Sequence, residues 1–457
     1  MRLQVVRTSR NLTGHAGLVA VGHCLNHFAQ LPAAIDPALP VRSGIATSDV
    51  MRAYVGLLTM GKSDFDAIEN HRNDGFFQRA LGLRAVPSAV TLRQRLDDVS
   101  SSLMPITDEL PVPLLQRAKA DITALPMGHV ALDIDVFGMD NSDTKKEGVS
   151  RTYAGYDGYA PIASYLGAEG WCLGLELREG SHHSAKETHY TLERVLPRAV
   201  QLTDKPILVR MDSGFDSTRL KAEILAASAA RQAEGGARID VLVKWNPRAN
   251  GAPTVIETAK ANRDLSWATP REGKRVAVFN ETLPCTVGGV DYPLTRVYRV
   301  IERHIDRHGQ RLLLPEWSVE GWDTSLTIDG STIDNQAVIR LYCDHGTHEQ
   351  FHSEFKTDLD LERLPSGKFD TNDAVLSLAV LAYNCLRLIG QNILLAKDGP
   401  VRHPAKRRRL KTVMQEIIYL AASVTQHARR VALGFARHIR AFTAFERLVK
   451  DWQIELI

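Results

Sequence analysis

Apolar and polar positions change their spacing twice along the chain, and each change predicts a different kind of structure. Over residues 14–125 apolar side chains recur every three to four positions, in "SDVMRAYVGLLTMG", "DFDAIENHRNDGFFQRALGL" and "PSAVTLRQRLDDVS". That is the period of helices burying one face. Ser48 or Asp49 can cap the first helix. Pro87 and Ser88 open the last, which displays Thr91, Arg93 and Arg95. Two short helices with a basic second member form a loose helix-turn-helix pattern, although plain helical packing gives the same spacing.

At Gly128 the period falls to two. In "HVALDIDVF" the residues Val130, Leu132, Ile134 and Val136 share one face, and Asp133 and Asp135 share the other. "APIASYLG" and "WCLGLELREG" predict further strands, and "SAKETHYTLERVLPRAV" predicts a helix. "PILVRMDSGFD" is a strand ending in Asp212 and Gly214, followed by the helix "STRLKAEILAASAARQAE" and the strand "IDVLVKW". This alternation predicts a mixed α/β core. From about 245 to 335 the strand-like pieces are separated by Gly, Pro and Asn turns, which predicts a β-rich insertion; helices resume near Ala337. The apolar run Ala374–Ile389 is broken by Ser377, Tyr383, Asn384 and Arg387. It predicts a buried core helix and no membrane span, which needs about 20 nearly uninterrupted apolar residues. The expected layout is a helical region 1–125, a core in two parts (126–244 and 336–398) around an insertion 245–335, and a basic helical region 399–457.

Composition adds bounds. With 457 residues, 44% hydrophobic and 24% charged, the chain has core material for two or three domains. Five scattered cysteines (Cys24, Cys172, Cys285, Cys343, Cys385) without a C-x-x-C pair fit a reducing cytosol, and neither a disulfide framework nor a zinc site. The start "MRLQVVRTSRNL" lacks the apolar run of a secretion signal. The formal net charge is +3, yet residues 399–457 carry 12 Lys and Arg against 4 Asp and Glu. Such a basic end suits a polyanionic partner or a solvated helix face.

The candidate chemistry lies in "YCDHGTHEQFHSEFK", Tyr342 to Lys356. On a helical wheel Tyr342, His345, Glu349, His352 and Lys356 fall within about 80°, while Glu354 points elsewhere. Asp135 in a strand and Asp212 at a strand end are acidic residues that buried strands disfavour unless something compensates them. With Glu349 they form an all-oxygen set able to hold two hard divalent cations. Two such ions can activate water and stabilise the leaving oxygen of a phosphodiester.

Read as Y-x2-H-x3-E-x6-K, the positions Tyr342, His345, Glu349 and Lys356 resemble the Y-x2-R-x3-E-x6-K signature of bacterial insertion-sequence DDE transposases. "LDIDVF" and "RMDSGF" are similar to the segments holding that family's two aspartates, and "RNDGFFQRALGL…PSAVTLRQRL" to its N-terminal region. The resemblance implies an α/β ribonuclease-H-like core with a β-rich insertion between the second aspartate and the glutamate, a helical DNA-binding N-terminal domain and a helical C-terminal region. It implies Asp135 (the second of the Asp133/Asp135 pair), Asp212 and Glu349 as catalytic metal ligands for two Mg²⁺, with Mn²⁺ as a substitute. Tyr342, His345 and Lys356 would contact DNA phosphate, as would Arg210, Arg93, Arg95 and Arg407, Arg408 and Arg409 of "KRRRLK". The partners implied are terminal inverted repeats and target DNA, with a homodimer in the synaptic complex, no small-molecule substrate, and a bacterial cytoplasmic location on the nucleoid. The activity implied is cut-and-paste transposition. Alternatives are a metal-dependent nuclease without strand transfer, or an inactive DNA-binding repressor copy, suggested by His345 where the signature has arginine.

Other residues carry weaker signals. His182 and His183 in "REGSHHSAKE" read as a solvated loop. Arg178 and Arg210 flank the strand carboxylates in sequence and could meet phosphate or form salt bridges. Trp245, Trp267, Trp317 and Trp322 could stack a flipped base, with core packing the ordinary role for such residues.

Overall fold

The computed structural model describes residues 3–456 apart from 249, 288, 329, 330 and 429. Its strands β1 (Val130–Val136), β2 (Ile162–Leu166), β3 (Trp171–Glu176), β4 (Ile207–Met211) and β5 (Ile239–Lys244) follow the alternation read from the sequence. β1 pairs antiparallel with β2, and β2 with β3. β4 joins the other side of β1 in parallel, and β5 joins β4 in parallel. Parallel neighbours need long crossovers, which α3 (Thr188–Leu202) and α4 (Thr218–Ala233) supply; α1 (Thr47–Thr59) and α2 (Ala89–Thr107) precede them in the N-terminal region.

The β-rich block forms as β6 (Trp267–Arg271), β7 (Lys274–Leu283), β8 (Leu294–Ile305) and β9 (Arg311–Thr324), but these strands continue the core sheet. The order is β6-β7-β8-β9-β5-β4-β1-β2-β3. β9 joins β5 over Trp322↔Lys244, Asp323↔Val243 and Thr324↔Leu242. An open β5 edge would expose unpaired N–H and C=O groups, and the end of β9 covers it. The remainder of the block has its own apolar cluster around Trp245, Tyr298 and Val300, closed by α5 (Gly251–Ala261).

The N-terminal helices and the sheet share one apolar core, which runs from Leu18, Tyr54 and Phe77 to Trp171 and Val209. Following α6 (Asn335–Cys343) and α7 (His348–Ser353), α8 (Phe369–Leu394) runs through that core. Among the described residues it is the one helix long and apolar enough to cross a membrane, and 94% of its apolar window is buried inside the protein. Its polar interruptions are hydrogen-bonded. Asn384 accepts from Cys172 N (3.0 Å) and donates to Cys172 O (2.8 Å), where the β2–β3 register shifts. Ser377 meets Thr107 of α2 at 2.6 Å, and Arg387 holds Glu354 and the Tyr383 hydroxyl.

The C-terminal region departs from the helical expectation. Ala422–His427 and Arg430–Phe435 form a hairpin, joined by the short strand Asn11–Thr13, before α9 (Phe442–Asp451) ends the fold. The cause is a period of two, with Ala422 and Val424 buried and their neighbours more exposed.

One buried ion pair locks the centre of the sheet. The β1–β4 register sets Asp133 opposite Arg210. Arg210 donates from Nε to Asp133 Oδ1 (2.6 Å), from Nη2 to Oδ2 (2.8 Å) and from Nη1 to Leu341 O at the end of α6 (2.7 Å). His345 Nδ1 lies 3.0 Å from Asp133 Oδ1. Asp133, Arg210 and His345 are 3%, 3% and 2% exposed, so solvent screens this cluster little. Burial alone would raise the Asp133 carboxyl, but Arg210 and then His345 together hold it well below the usual carboxylate range.

Asp133 and Asp373 make opposite contributions to stability. Arg210→Met leaves Asp133 buried and under-compensated, and should cost about 3–5 kcal/mol in urea denaturation. Adding Asp133→Asn should recover most of that loss. Asp373 behaves oppositely: burial pushes its carboxyl up to about 7, against the Leu177 N–H it accepts at 2.8 Å. The native chain then keeps a proton that the unfolded chain releases near pH 4, so this group's contribution falls as pH rises from about 4 to 7 and is level above. Asp373→Asn should therefore match wild type at pH 4 and exceed it at pH 8 by up to about 4 kcal/mol, measured by denaturation at each pH.

Candidate active site

Parallel pairing brings the two strand-borne aspartates to one edge. The β1–β4 register ends at Ile134↔Met211, and the next residues along the two strand directions are Asp135 and Asp212. Carboxyl ends of parallel strands are where open α/β sheets form their binding crevices. Asp212 leaves β4 as the cap of a tight turn, its Oδ1 accepting from Gly214 N at 2.8 Å. A Cβ at Gly214 would meet Ser184 Oγ at 2.8 Å and Asp212 Oδ1 at 3.0 Å, so the Ser184 side chain packs closely over this turn. The Asp135 carboxylate accepts from Val136 N at 2.8 Å and lies 3.3 Å from His352 Nε2. The other ring nitrogen of His352 is 3.2 Å from the Tyr165 hydroxyl, and its ring stacks on Phe137 with centroids 4.4 Å apart.

The segment Tyr342–Lys356 is helical but not one helix. α6 ends at Cys343, Asp344–Thr347 is a 3-10 turn, α7 follows, and Glu354–Asp358 is a π-helical turn. These changes of winding split the stripe drawn on a regular wheel. Tyr342 and Glu349 line the cleft. His345, also at the cleft wall, turns its ring to Asp133. Lys356 Nζ donates to Gly138 O at 3.1 Å and pairs with Glu362 at 3.2 Å. Glu354 is fully buried against Arg387 and accepts from Leu410 N at 3.2 Å. Of the two glutamates, Glu349 is therefore the one open to a ligand.

Asp135, Asp212 and Glu349 line a single cleft of about 860 Å³. Their joint field is visible on two tyrosines. Burial, then Asp212 and Asp135, raise the Tyr342 phenol far above its ordinary range. The Tyr153 phenol at the cleft mouth is also raised, by partial desolvation and then by Asp135, Asp212 and Glu349. Both stay protonated hydrogen-bond donors at neutral pH. Three carboxylates concentrating negative charge among oxygen donors fit hard divalent cations such as Mg²⁺ or Mn²⁺.

The basic residues singled out in the sequence are placed less simply. Arg210 and His345 serve Asp133 in the interior. Arg407 stacks over Phe351 (4.4 Å) and bonds Ala168 O (3.0 Å), while Arg408 bonds Leu394 O and Val401 O. Arg409 grips Asp358 through Nε (2.9 Å) and Nη2 (2.9 Å), so "KRRRLK" fastens the chain onto α7 and α8. Arg95 bonds Ile45 O and Thr47 Oγ1; Arg93 is half exposed, 3.7 Å from Asp66. Arg178 is buried in hydrogen bonds to Glu176, Thr188 and Thr191.

Other basic and aromatic groups face the cleft instead: Arg151, Arg299, His182 and His183. The two histidines thus form part of its wall, where their sequence suggested only a solvated loop. Arg151 and Tyr153 sit in "SRTYAGYDG", which has no periodic signal, and Arg299 is an ordinary alternating residue of β8. Trp322, buried, lines the cleft beside Tyr342 with Arg299 over its ring at 5.3 Å. Trp245, Trp267 and Trp317 pack within the β-rich block.

Against curated protein sequences the chain has no match. Among solved structures, the cryo-EM structure of the piggyBac transposase synaptic complex with hairpin DNA is similar at 12% identity and a TM-score of 0.44, over 90% of this chain and 82% of that one. The family model described as transposase DDE domain group 1 matches residues 2–234 and 295–453, leaving out only β5 to β7 of the large sheet. With the strands bearing Asp135 and Asp212, the segment bearing Glu349 and the core helix α8 all inside that match, the chain belongs to the family of transposases with a group 1 DDE domain.

Proposed function

We propose that this chain is the transposase of an insertion sequence. It binds the terminal inverted repeats of its element, hydrolyses a phosphodiester at the element's end and joins the freed 3′-hydroxyl to target DNA. The observation that carries the proposal is the convergence of Asp135, Asp212 and Glu349 on one cleft. DDE transposases generally use divalent metal ions, and the all-oxygen donor set supports Mg²⁺, two ions, with Mn²⁺ as a substitute. Bound by the three carboxylates, such ions would polarise the attacking oxygen and stabilise the leaving one.

The chain's own residues do the rest. Tyr342 and Tyr153, protonated at neutral pH as phenols ordinarily are, donate O–H groups to non-bridging phosphate oxygens. Arg151 on the cleft wall, largely exposed, supplies positive charge, while Arg299 is paired there with Glu320 (2.9 Å). Phosphate contacts position DNA without reading its sequence. The half-exposed Arg93 on α2 supports a role for the N-terminal helices in end recognition. Synapsis of two element ends favours a homodimer. His345 is occupied with Asp133, which gives its departure from the signature a structural use and weakens the reading of a decayed, DNA-binding repressor copy.

Cleavage of duplexes carrying the element's ends, with Mg²⁺ or Mn²⁺, tests this reading. Asp135→Asn, Asp212→Asn and Glu349→Gln should each lower strand cleavage by at least about 100-fold, the scale of a lost transition-state charge contact, with unchanged circular dichroism. Pre-cleaved ends should yield products joined to a target plasmid. Variants that cleave like wild type would refute the active-site assignment, and cleavage without joining would favour a nuclease.

A further inference from the structure

A second group of ionisable side chains lies in the N-terminal region, and none of its members lines the cleft. His15 sits between the strand Asn11–Thr13 and the helix Leu18–His23, His71 closes the 3-10 turn Phe65–His71, and Asp74 precedes the helix Gly75–Ala80. Asp74 divides its oxygens: Oδ1 accepts from Phe76 N (2.9 Å) and Phe77 N (3.1 Å), and Oδ2 faces the two imidazoles. Oδ2 is 3.4 Å from His15 Nε2 and 3.8 Å from His71 Nδ1, and one ligand atom from each residue falls within 4.8 Å of the others. Among the described residues, both ring nitrogens are buried without a hydrogen-bond partner. At 3.4 and 3.8 Å from Oδ2 the two nitrogens are within ion-pair range of the carboxylate but lack hydrogen-bond geometry, an arrangement that an ion held between the three atoms would satisfy. A tetrahedral ion with bonds of about 2.0–2.1 Å separates its ligands by about 3.3 Å, near the spacings observed.

The surroundings hold these donors in place. The His71 ring stacks on Phe77 (4.6 Å, 19°) and meets the His15 ring edge-on (5.1 Å, 78°). The Asp74 carboxylate is oriented by the Phe76 and Phe77 N–H groups that it accepts through Oδ1. Two neutral imidazoles and a carboxylate are borderline-soft donors, suited to Zn²⁺, Co²⁺ or Ni²⁺ and ill suited to Mg²⁺ or Ca²⁺.

We propose that His15 Nε2, His71 Nδ1 and Asp74 Oδ2 form a structural site for one Zn²⁺-class ion, distinct from the carboxylate cleft. The ion ties the segment around residue 15 to the turn at 71–74. Through the strand Asn11–Thr13, paired with Ala422–His427, it also fastens the C-terminal hairpin to the N-terminal helices. No cysteine takes part, so cysteine spacing could not have revealed it.

The test uses the full chain carrying Asp212→Asn and Glu349→Gln, which silences the cleft, after dialysis against chelator. Zn²⁺ is titrated against a chromophoric chelator, with Co²⁺ absorption as a second readout. The expected result is one ion per chain, a higher Tm with Zn²⁺, and the visible band of four-coordinate Co²⁺. Asp74→Asn can keep the helix cap through Oδ1, so the metal-free variant should melt like its parent while binding Zn²⁺ at least about 10-fold more weakly. His71→Ala should abolish the Co²⁺ band. A parent that takes up no Zn²⁺, or uptake undiminished by Asp74→Asn, would overturn the proposal.

Discussion

The parallel register of β1 and β4 is the constraint on which the rest depends. It acts on two pairs of residues. Two residues inside the edge it sets Asp133 against Arg210, and just past its last pair, Ile134↔Met211, come Asp135 and Asp212. The inner carboxylate is consumed by a guanidinium and an imidazole. The outer two open into a cleft with Glu349. Because Arg210 also holds Leu341 O, the same ion pair fixes where α6 ends and so where Tyr342 and the following segment start. A pair buried this deeply is weak evidence of net stability; its evident structural effect is to fix register and helix position together.

Much of this was legible in the sequence because period and chemistry agreed. Alternation in "HVALDIDVF" marked β1, and its i, i+2 aspartates marked a common face. The choice between them is physical: Asp133 lies opposite an arginine, while Asp135 lies past the end of the β1–β4 register. α8 was legible as a buried helix, and its polar interruptions prove to be hydrogen-bonded anchors such as Asn384 and Arg387. The region around Glu349 was only half legible. A wheel assumes one regular helix, whereas this segment passes through α, 3-10 and π windings, which turn His345 and Lys356 away from the direction of Glu349.

The least legible features were those that depend on distant partners. Charge in "KRRRLK" pointed outward to DNA, but Arg407, Arg408 and Arg409 spend their donors on backbone carbonyls and Asp358 within the chain. Arg151, on the short strand Ser150–Arg151 paired with Asp157–Tyr159, and Tyr153 and His183 beside it in the cleft lining, come from segments with no periodic signal. The β-rich block was visible as strands, yet its continuity with the core rests on three residue pairs between β9 and β5.

The proposed reaction requires Asp135, Asp212 and Glu349 to hold divalent cations at the ends of β1 and β4. Anomalous diffraction from crystals of the chain soaked in Mn²⁺ tests this most directly. Mn²⁺ peaks are expected within coordination distance of Asp135, Asp212 and Glu349, with none at Asp133 or Glu354. Peaks that bypass these three residues, or an ion held by Asp133 in place of Arg210, would contradict it.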